Sequence, residues 1–295
     1  MKSSLLVALG AFALLACQPA RQTLADDDEL GKAVADKGGF LYEVTPNTEG
    51  AAPFYLFGVI HYDKLFAAKE FHLMLKPSVW QRILKADRTF VEEVAPRNRR
   101  GVPGAEPAPA TQPDAELKAF SEKGADQLLP LYAECGFSMD GADAQTASIV
   151  LARGKKLYGL ETPEDRQRIL GRMSDEDKRK SAGYLDLGSL QHDAASPAKD
   201  RSAGKGLQCR STEESWLAWK TENIPFFEKQ LASFSADPFA HYLIDERNTL
   251  FHQRINRHLQ EKGAMFVAVG ALHLYGERGL LALFKADGYT VNWVP

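Results

Sequence analysis

The sequence predicts an α/β (α+β) fold, a central mixed sheet flanked by helices. Three observations carry that prediction. Short apolar runs bounded by turn residues alternate with longer segments of helical periodicity. Two of these runs, from opposite ends of the chain, close on the same pattern: Gly58-Val59-Ile60-His61 and Gly270-Ala271-Leu272-His273. The composition, 44% hydrophobic and 25% charged over 295 residues, suffices for one large buried core.

The N-terminus reads as an export signal. Lys2 supplies the positive start and Leu5 to Leu15 an apolar stretch. That stretch is shorter than the roughly 20 apolar residues a membrane-spanning helix needs. It ends in Leu14-Leu15-Ala16-Cys17, which resembles a bacterial lipobox. The resemblance implies removal of residues 1–16 and a lipid on Cys17. Gln18 follows rather than aspartate, so the expectation is an outer-membrane anchor in the cell envelope, facing the periplasm. An ordinary signal peptide cut nearby is the alternative. Residues 17–36, polar and acidic, read as the tether, and 37–295 as the folded domain.

Cys135 and Cys209 are the remaining cysteines, and an even pair in an oxidising compartment suggests a disulfide. Two separate buried thiols are the alternative. The formal net charge of −3 comes with no basic stripe, which argues against nucleic acid as a partner.

Taken in order, Phe40 to Val44 reads as a strand, and the Pro46-Asn47-Thr48-Glu49-Gly50 turn returns the chain as a hairpin into Phe54 to Ile60. A helical pattern over 67–85 is interrupted at Pro77. Arg88 to Val94 is a strand carrying Glu92 and Glu93, which alternation sends to opposite faces. Residues 95–114, rich in Pro and Ala, read as a flexible insertion. Helices are expected over 115–135 and 143–153. Lys156 to Leu160 is a strand ending at Glu161. Thr162 then caps a helix with Pro163 at its first position and acids in its first turn. A second flexible stretch, 192–206, separates helices. Helices over 212–234 and 238–262 follow, the latter stopped by Gly263. Met265 to Val269 is a strand, 277–286 a helix and Tyr289 to Val294 a final strand.

This order places His61, Glu161 and His273 at or just beyond strand ends, with Glu92 inside one. Open α/β sheets bind ligands at the carboxyl ends of their strands. Gly58 and Gly270, lacking side chains, let a ligand or a neighbouring backbone approach. Two imidazoles with one or two carboxylates suit a divalent transition metal with an open position. Such an ion acidifies bound water and polarises a carbonyl. The plainer alternatives are an exposed strand residue for Glu92 and helix-end charge compensation for Glu161. Arg247 could hold a carboxylate and Asn248 could donate to an oxyanion; spacing alone favours a solvated helix face for both. His72, His192, His241, His252 and His258 read as surface or packing residues.

At these residues the chain resembles the TraB/GumN family of the Tiki-like superfamily. The resemblance rests on Phe57 to His61, Ala86 to Glu92, Gly159 to Thr162, Arg247-Asn248, and Val269 to Leu274 with Gly276 and Gly279; Gly141-Ala142-Asp143 is also similar to a family element. It covers about Phe40 to Val294. It implies the fold shared with erythromycin esterases and ChaN-like proteins, and a divalent-metal-dependent hydrolase of the peptidase kind. His61, His273 and Glu92 would hold Mn, Co or Zn, with Glu92 also a candidate base and Glu161, Arg247 and Asn248 in support. Glu93, where the family has an apolar residue, departs from the pattern. Peptides or small molecules would be the substrates. A metal-independent esterase-like hydrolase with a histidine base, and a non-enzymatic lipoprotein binding peptide, haem or metal, are the competing readings. Oligomeric state is not legible in the sequence.

Overall fold

The computed structural model describes residues 38–47, 52–64, 75–93, 132–138, 141–177, 198–234 and 238–295, of which 64, 198–208, 234 and 239 are described by their backbone alone. The signal segment, Cys17, the 17–36 tether, the 95–114 insertion, His72 and His192 lie outside the described residues.

Six strands form one sheet. In chain order they are β1 (Phe40–Thr45), β2 (Phe54–Val59), β4 (Arg88–Glu93), β6 (Leu157–Glu161), β7 (Met265–Gly270) and β8 (Thr290–Val294). Their spatial order is β6-β4-β7-β2-β1-β8. The four neighbouring strands β6, β4, β7 and β2 run parallel, and β1 pairs antiparallel with both β2 and β8. The sheet is therefore mixed, and the β1–β2 hairpin is as the turn chemistry predicts. A two-residue ribbon pairs β3 (Asp63–Lys64) with β5 (Phe137–Ser138) beside the main sheet.

The central strands are buried because helices cover both faces of a parallel sheet. Every residue of β7 is buried. Phe54 and Phe57 are three apart on β2 and so point to opposite faces. Phe54 packs edge-on against Phe284, and Phe57 against Trp219. Those partners lie on α8 (Leu280–Ala286) and α4 (Ala198–Lys220). The other helices are α1 (Pro77–Lys85), α2 (Ala142–Ala152), α3 (Pro163–Leu170), α5 (Ile224–Phe234), the single turn α6 (Pro238–Ala240) and α7 (Arg247–Leu259). Among the described residues no helix is long and apolar enough to cross a membrane.

Local chemistry accounts for the boundaries. Thr162 caps α3 as predicted: its hydroxyl accepts from Asp165 N at 3.2 Å, and Asp165 Oδ2 accepts from Thr162 N at 2.9 Å. Pro77 starts α1 rather than interrupting a longer helix within the described span. Three expectations are corrected. The helix expected over 212–234 is two, because the chain turns at 221–223 with Glu222 at φ 55°. Its first half begins at Ala198, inside the stretch read as separating helices. The helix expected over 238–262 is interrupted by a π-helical segment, His241–Glu246, which delivers the chain into α7. Single π-turns of this kind are frequent at functional sites.

Candidate functional site

Because β6, β4, β7 and β2 are parallel neighbours, their carboxyl ends form one edge. Glu161 ends β6, Glu92 sits near the end of β4, and Gly270 ends β7. His61 follows β2 by two residues, and His273 closes the single 3₁₀ turn Ala271–His273 after β7. The sheet order therefore lines up Glu161, Glu92, His273 and His61 along that edge. The pocket above them, about 320 Å³, is lined by His61, Glu92, Arg247, Gly270 and His273 among others.

The side chains interlock. Glu92 Oε1 accepts from Gly270 N at 2.6 Å, and Glu92 Oε2 from Arg247 at 2.5 Å. Glu161, 1% exposed, accepts two N–H groups of Arg247 at 2.9 and 2.6 Å and a third, from Arg166 Nε, at 3.0 Å. Arg166 also reaches Glu93 Oε2 at 3.0 Å. This settles the glutamates of β4: Glu92 faces the pocket, and Glu93 turns to Arg166. Arg247 and Asn248 are 5% and 0% exposed, so the solvated helix face that spacing favours is overturned. The π-segment advances the chain within that helix, and the pair enters the core.

Each histidine is anchored through its Nδ1. His61 Nδ1 lies 3.0 Å from Asp143 Oδ2, and His273 Nδ1 lies 2.7 Å from Asn248 Oδ1. The Nε2 atoms then face a common carboxylate: Glu92 Oε1 is 3.9 Å from His61 Nε2 and 3.7 Å from His273 Nε2. Gly270 sits at the meeting point. A Cβ there would lie 3.1 Å from Glu92 Oε1, 3.1 Å from His61 Nε2 and 3.5 Å from His273 Cδ2.

The electrostatics of the two imidazoles diverge. Burial alone would push His61 down, but the Asp143 and Glu92 carboxylates outweigh it and raise it to about 9. Its side chain is 40% exposed at the pocket mouth. Burial pushes His273 down to about 4, helped by the Arg247 guanidinium, so this imidazole is neutral. Burial would raise Glu92 and Glu161, yet both are lowered, Glu92 well below the carboxylate range, with Arg247 the largest opposing influence on each.

Among the described residues, no group of three or more His, Cys, Asp or Glu side chains is drawn together tightly enough to hold a metal as it stands. The donor chemistry nonetheless fits a divalent transition ion. Two imidazoles with Nδ1 tied to oxygen acceptors and Nε2 aimed at one carboxylate are the arrangement metal-binding histidines adopt. The missing Gly270 side chain leaves the space between them clear. One contact must yield, since Arg247 NH1 stands 3.1 Å from His273 Nε2.

The structure thus brings together His61, Glu92, Glu161, Arg247, Asn248 and His273. The other histidines stand apart: His241 pairs with Asp245, His252 with Asp287, and His258 with Glu261. Gly58 serves packing, since a Cβ there would lie 2.6 Å from Leu274 Cδ1. Cys135 and Cys209 are disulfide-bonded, with Cα atoms 5.1 Å apart. Sequence reasoning missed the roles of Asp143 and Arg166. Their signal was position: each lies in the first turn or so of a helix opening beside a strand end.

The profile of the TraB/PrgY/gumN family matches residues 124–292. That span holds Asp143, Glu161, Arg247, Asn248 and the second histidine motif, while Glu92 and the first motif precede it. No curated protein and no solved structure matches the chain. The matched span is more than half of the sequence and carries the strand end, the buried Arg-Asn pair and the histidine turn that build one side of the pocket, and the chain belongs to the TraB/PrgY/gumN family.

Proposed function

We propose that the pocket is the centre of a divalent-metal-dependent hydrolase of peptide-like bonds, with His61, Glu92 and His273 holding the ion. The observation that carries this reading is the convergence of His61 Nε2, His273 Nε2 and Glu92 Oε1 on the side-chain-free position at Gly270. A bound ion supplies an acidified water and a polarised carbonyl. The chain's own residues do the rest. Asp143 and Asn248 fix the imidazole orientations. Arg247 holds Glu92 and Glu161 ionised, and Glu161 in turn fixes Arg247.

A second reading is supported by the Arg247 contact on His273 Nε2, which occupies one donor. In it, the His61–Asp143 pair activates water without a metal: Asp143 orients the ring, and Nε2 takes a proton only above its raised value of about 9, so this route predicts an alkaline optimum. This is the metal-independent, esterase-like alternative. A binding protein without turnover is the third reading, and turnover itself distinguishes it.

We also propose that the domain is tethered through lipid on Cys17 to the outer membrane, facing the periplasm. The support is the Leu14-Leu15-Ala16-Cys17 sequence at the end of a short apolar stretch. Mass spectrometry of the mature N-terminus tests it, and an unlipidated N-terminus would reject it.

The deciding experiment on the site is metal content by mass spectrometry of the untagged protein beginning at residue 18. Wild type is compared with the His61→Ala/His273→Ala double variant. Near-stoichiometric metal, lost in the variant, supports the metal reading. Wild type that takes up no metal after reloading, yet hydrolyses an ester or peptide in chelator, transfers the assignment to the His61–Asp143 pair.

A further inference from the structure

Among the described residues the pocket is charged at its floor and uncharged on its wall. Among the described lining residues, the ionisable groups that shape the chemistry are His61, Glu92, Arg247 and His273, all at the strand ends. The wall is built differently. Tyr62 and Tyr132 stack with ring centroids 5.0 Å apart and planes 25° from parallel. Phe227, Leu243, Ile244 and Leu272 extend the apolar surface. The polar wall groups are neutral, the hydroxyls of Ser211, Thr212 and Ser215 and the amide of Gln230.

The wall is also covalently held. Tyr132 lies three residues before Cys135, and Ser211 and Thr212 lie just after Cys209, so the disulfide joins the two segments that face each other across the wall. The β3–β5 ribbon clamps the same place. Phe137 of β5 packs edge-on against Tyr62, with centroids 5.6 Å apart. Asp63 of β3 accepts from Trp216 Nε1 on α4 at 2.9 Å. Tyr62 is hydrogen-bonded to Ser215, and it follows His61 directly in the chain. A wall fixed at this many points adjoins the reacting end without belonging to it.

We infer that Tyr132, stacked on Tyr62, is the specificity wall of this pocket and selects an uncharged aromatic or large aliphatic group beside the bond to be cleaved. The physical reason is desolvation. A charged substrate side chain against the described part of this wall loses water and meets neutral hydroxyls and ring faces. An aromatic one buries area and stacks. The cavity of about 320 Å³ accommodates one such group with its flanking backbone, not a long segment. The disulfide keeps Tyr132 in place against Tyr62. This inference rests on the hydrolase reading for the term "cleaved" and on the wall's geometry alone for the preference.

The test measures binding and turnover separately. Blocked single-residue amides, N-acetyl-phenylalanine, -leucine, -aspartate and -lysine amides, are titrated into the full protein by ligand-observed NMR. Fluorogenic peptides carrying the same residues are assayed alongside. The expected result is roughly tenfold tighter binding of the phenylalanine and leucine amides than of the charged pair. In Tyr132→Ala the preference collapses. Tyr132→Phe, which keeps the stacked ring, retains it. If turnover is present, Tyr132→Ala raises KM and leaves kcat near wild type. The Cys135→Ser/Cys209→Ser double variant also loses discrimination. Equal binding of charged and aromatic amides, no binding of the aromatic amides, or a preference that survives in Tyr132→Ala overturns the inference. A Tyr132-dependent binding preference without turnover upholds the wall and rejects the hydrolase. Turnover without such a preference does the reverse.

Discussion

Nδ1 of His273 stands 2.7 Å from the side-chain oxygen of Asn248, and that contact decides which nitrogen of the buried imidazole carries the proton. Asn248 Nδ2 donates to the Arg278 carbonyl at 2.9 Å, which fixes its oxygen toward the ring. His273 is therefore the Nδ1–H tautomer, with the Nε2 lone pair toward the pocket. Long-range nitrogen NMR of the imidazole should show this tautomer in wild type. Asn248→Leu, which cannot accept, should lower metal affinity roughly 10- to 100-fold, the usual effect of removing a partner of a ligating histidine. An Nε2–H tautomer in wild type would count against the assignment.

The two motif glycines should respond differently to the same substitution. At Gly58 an added Cβ collides with Leu274 in the core, so Gly58→Ala should cost about 1–3 kcal/mol of stability through overpacking. At Gly270 the new methyl meets Glu92 and His61 instead. Gly270→Ala should abolish metal uptake and turnover while melting close to wild type. Thermal melts beside metal titrations separate the two outcomes.

Arg247 joins two carboxylates at the pocket floor, and its removal leaves Glu161 to Arg166 and Glu92 to the Gly270 amide and the histidines. Arg247→Ala should destabilise the fold by about 3–5 kcal/mol, the range for breaking a buried ion pair by deleting one partner. Arg247→Ala combined with Glu92→Gln should recover part of that loss, since Glu92 is the carboxylate left without a guanidinium partner. Chemical denaturation of the three variants gives the comparison, and a double variant no better than the single would contradict the network.

Acid should destabilise the protein in two steps. Burial and then Arg247 push His273 down to about 4, below its ordinary 6.5, so the unfolded chain takes up this proton first. Stability falls as pH drops through that interval. Glu161 and Asp165 are held below the carboxylate range, against their burial, by Arg247 and Arg254 respectively. Their contribution is present above the ordinary carboxylate values, 4.5 for Glu161 and 3.8 for Asp165, and is lost as pH falls through their lowered values. Melting curves from about pH 7 downward should show the early decline flattened in His273→Gln and the steeper acid step unchanged.

Reduction of Cys135–Cys209, which are 74 residues apart, frees a long loop in the unfolded chain. The chain-entropy relation puts the loss near 4 kcal/mol, an upper figure. A melt in reductant should fall clearly below the oxidised protein.

Much of this was legible in the sequence, for a physical reason. Buried parallel strands are short apolar runs, and each of β2, β4, β6 and β7 is such a run with a polar residue of the pocket at its end or within three residues beyond it. Alternation left Glu92 and Glu93 undecided, because it fixes their opposition but not which face holds the pocket. The partners were harder. Asp143 reaches the site only because α2 starts beside the end of β2, a long-range fact with no local pattern, whereas Arg166, five residues after Glu161, is turned back onto that carboxylate by the first turns of α3. Arg247 sits after a π-segment, and a period of 3.6 counted through that segment assigns it to the wrong face.

The strand order has a consequence for how the protein is made. β7 lies between β2 and β4, yet it is translated long after both. Until it arrives, His61 and Glu92 border a missing strand, and the Gly270 amide and His273 do not exist to complete the pocket. All 264 residues before β7 are made first, and the facing edges of β2 and β4 stay unpaired with it until it emerges. The pocket is therefore completed only once β7 and His273 have emerged, and no shorter nascent chain can carry its chemistry.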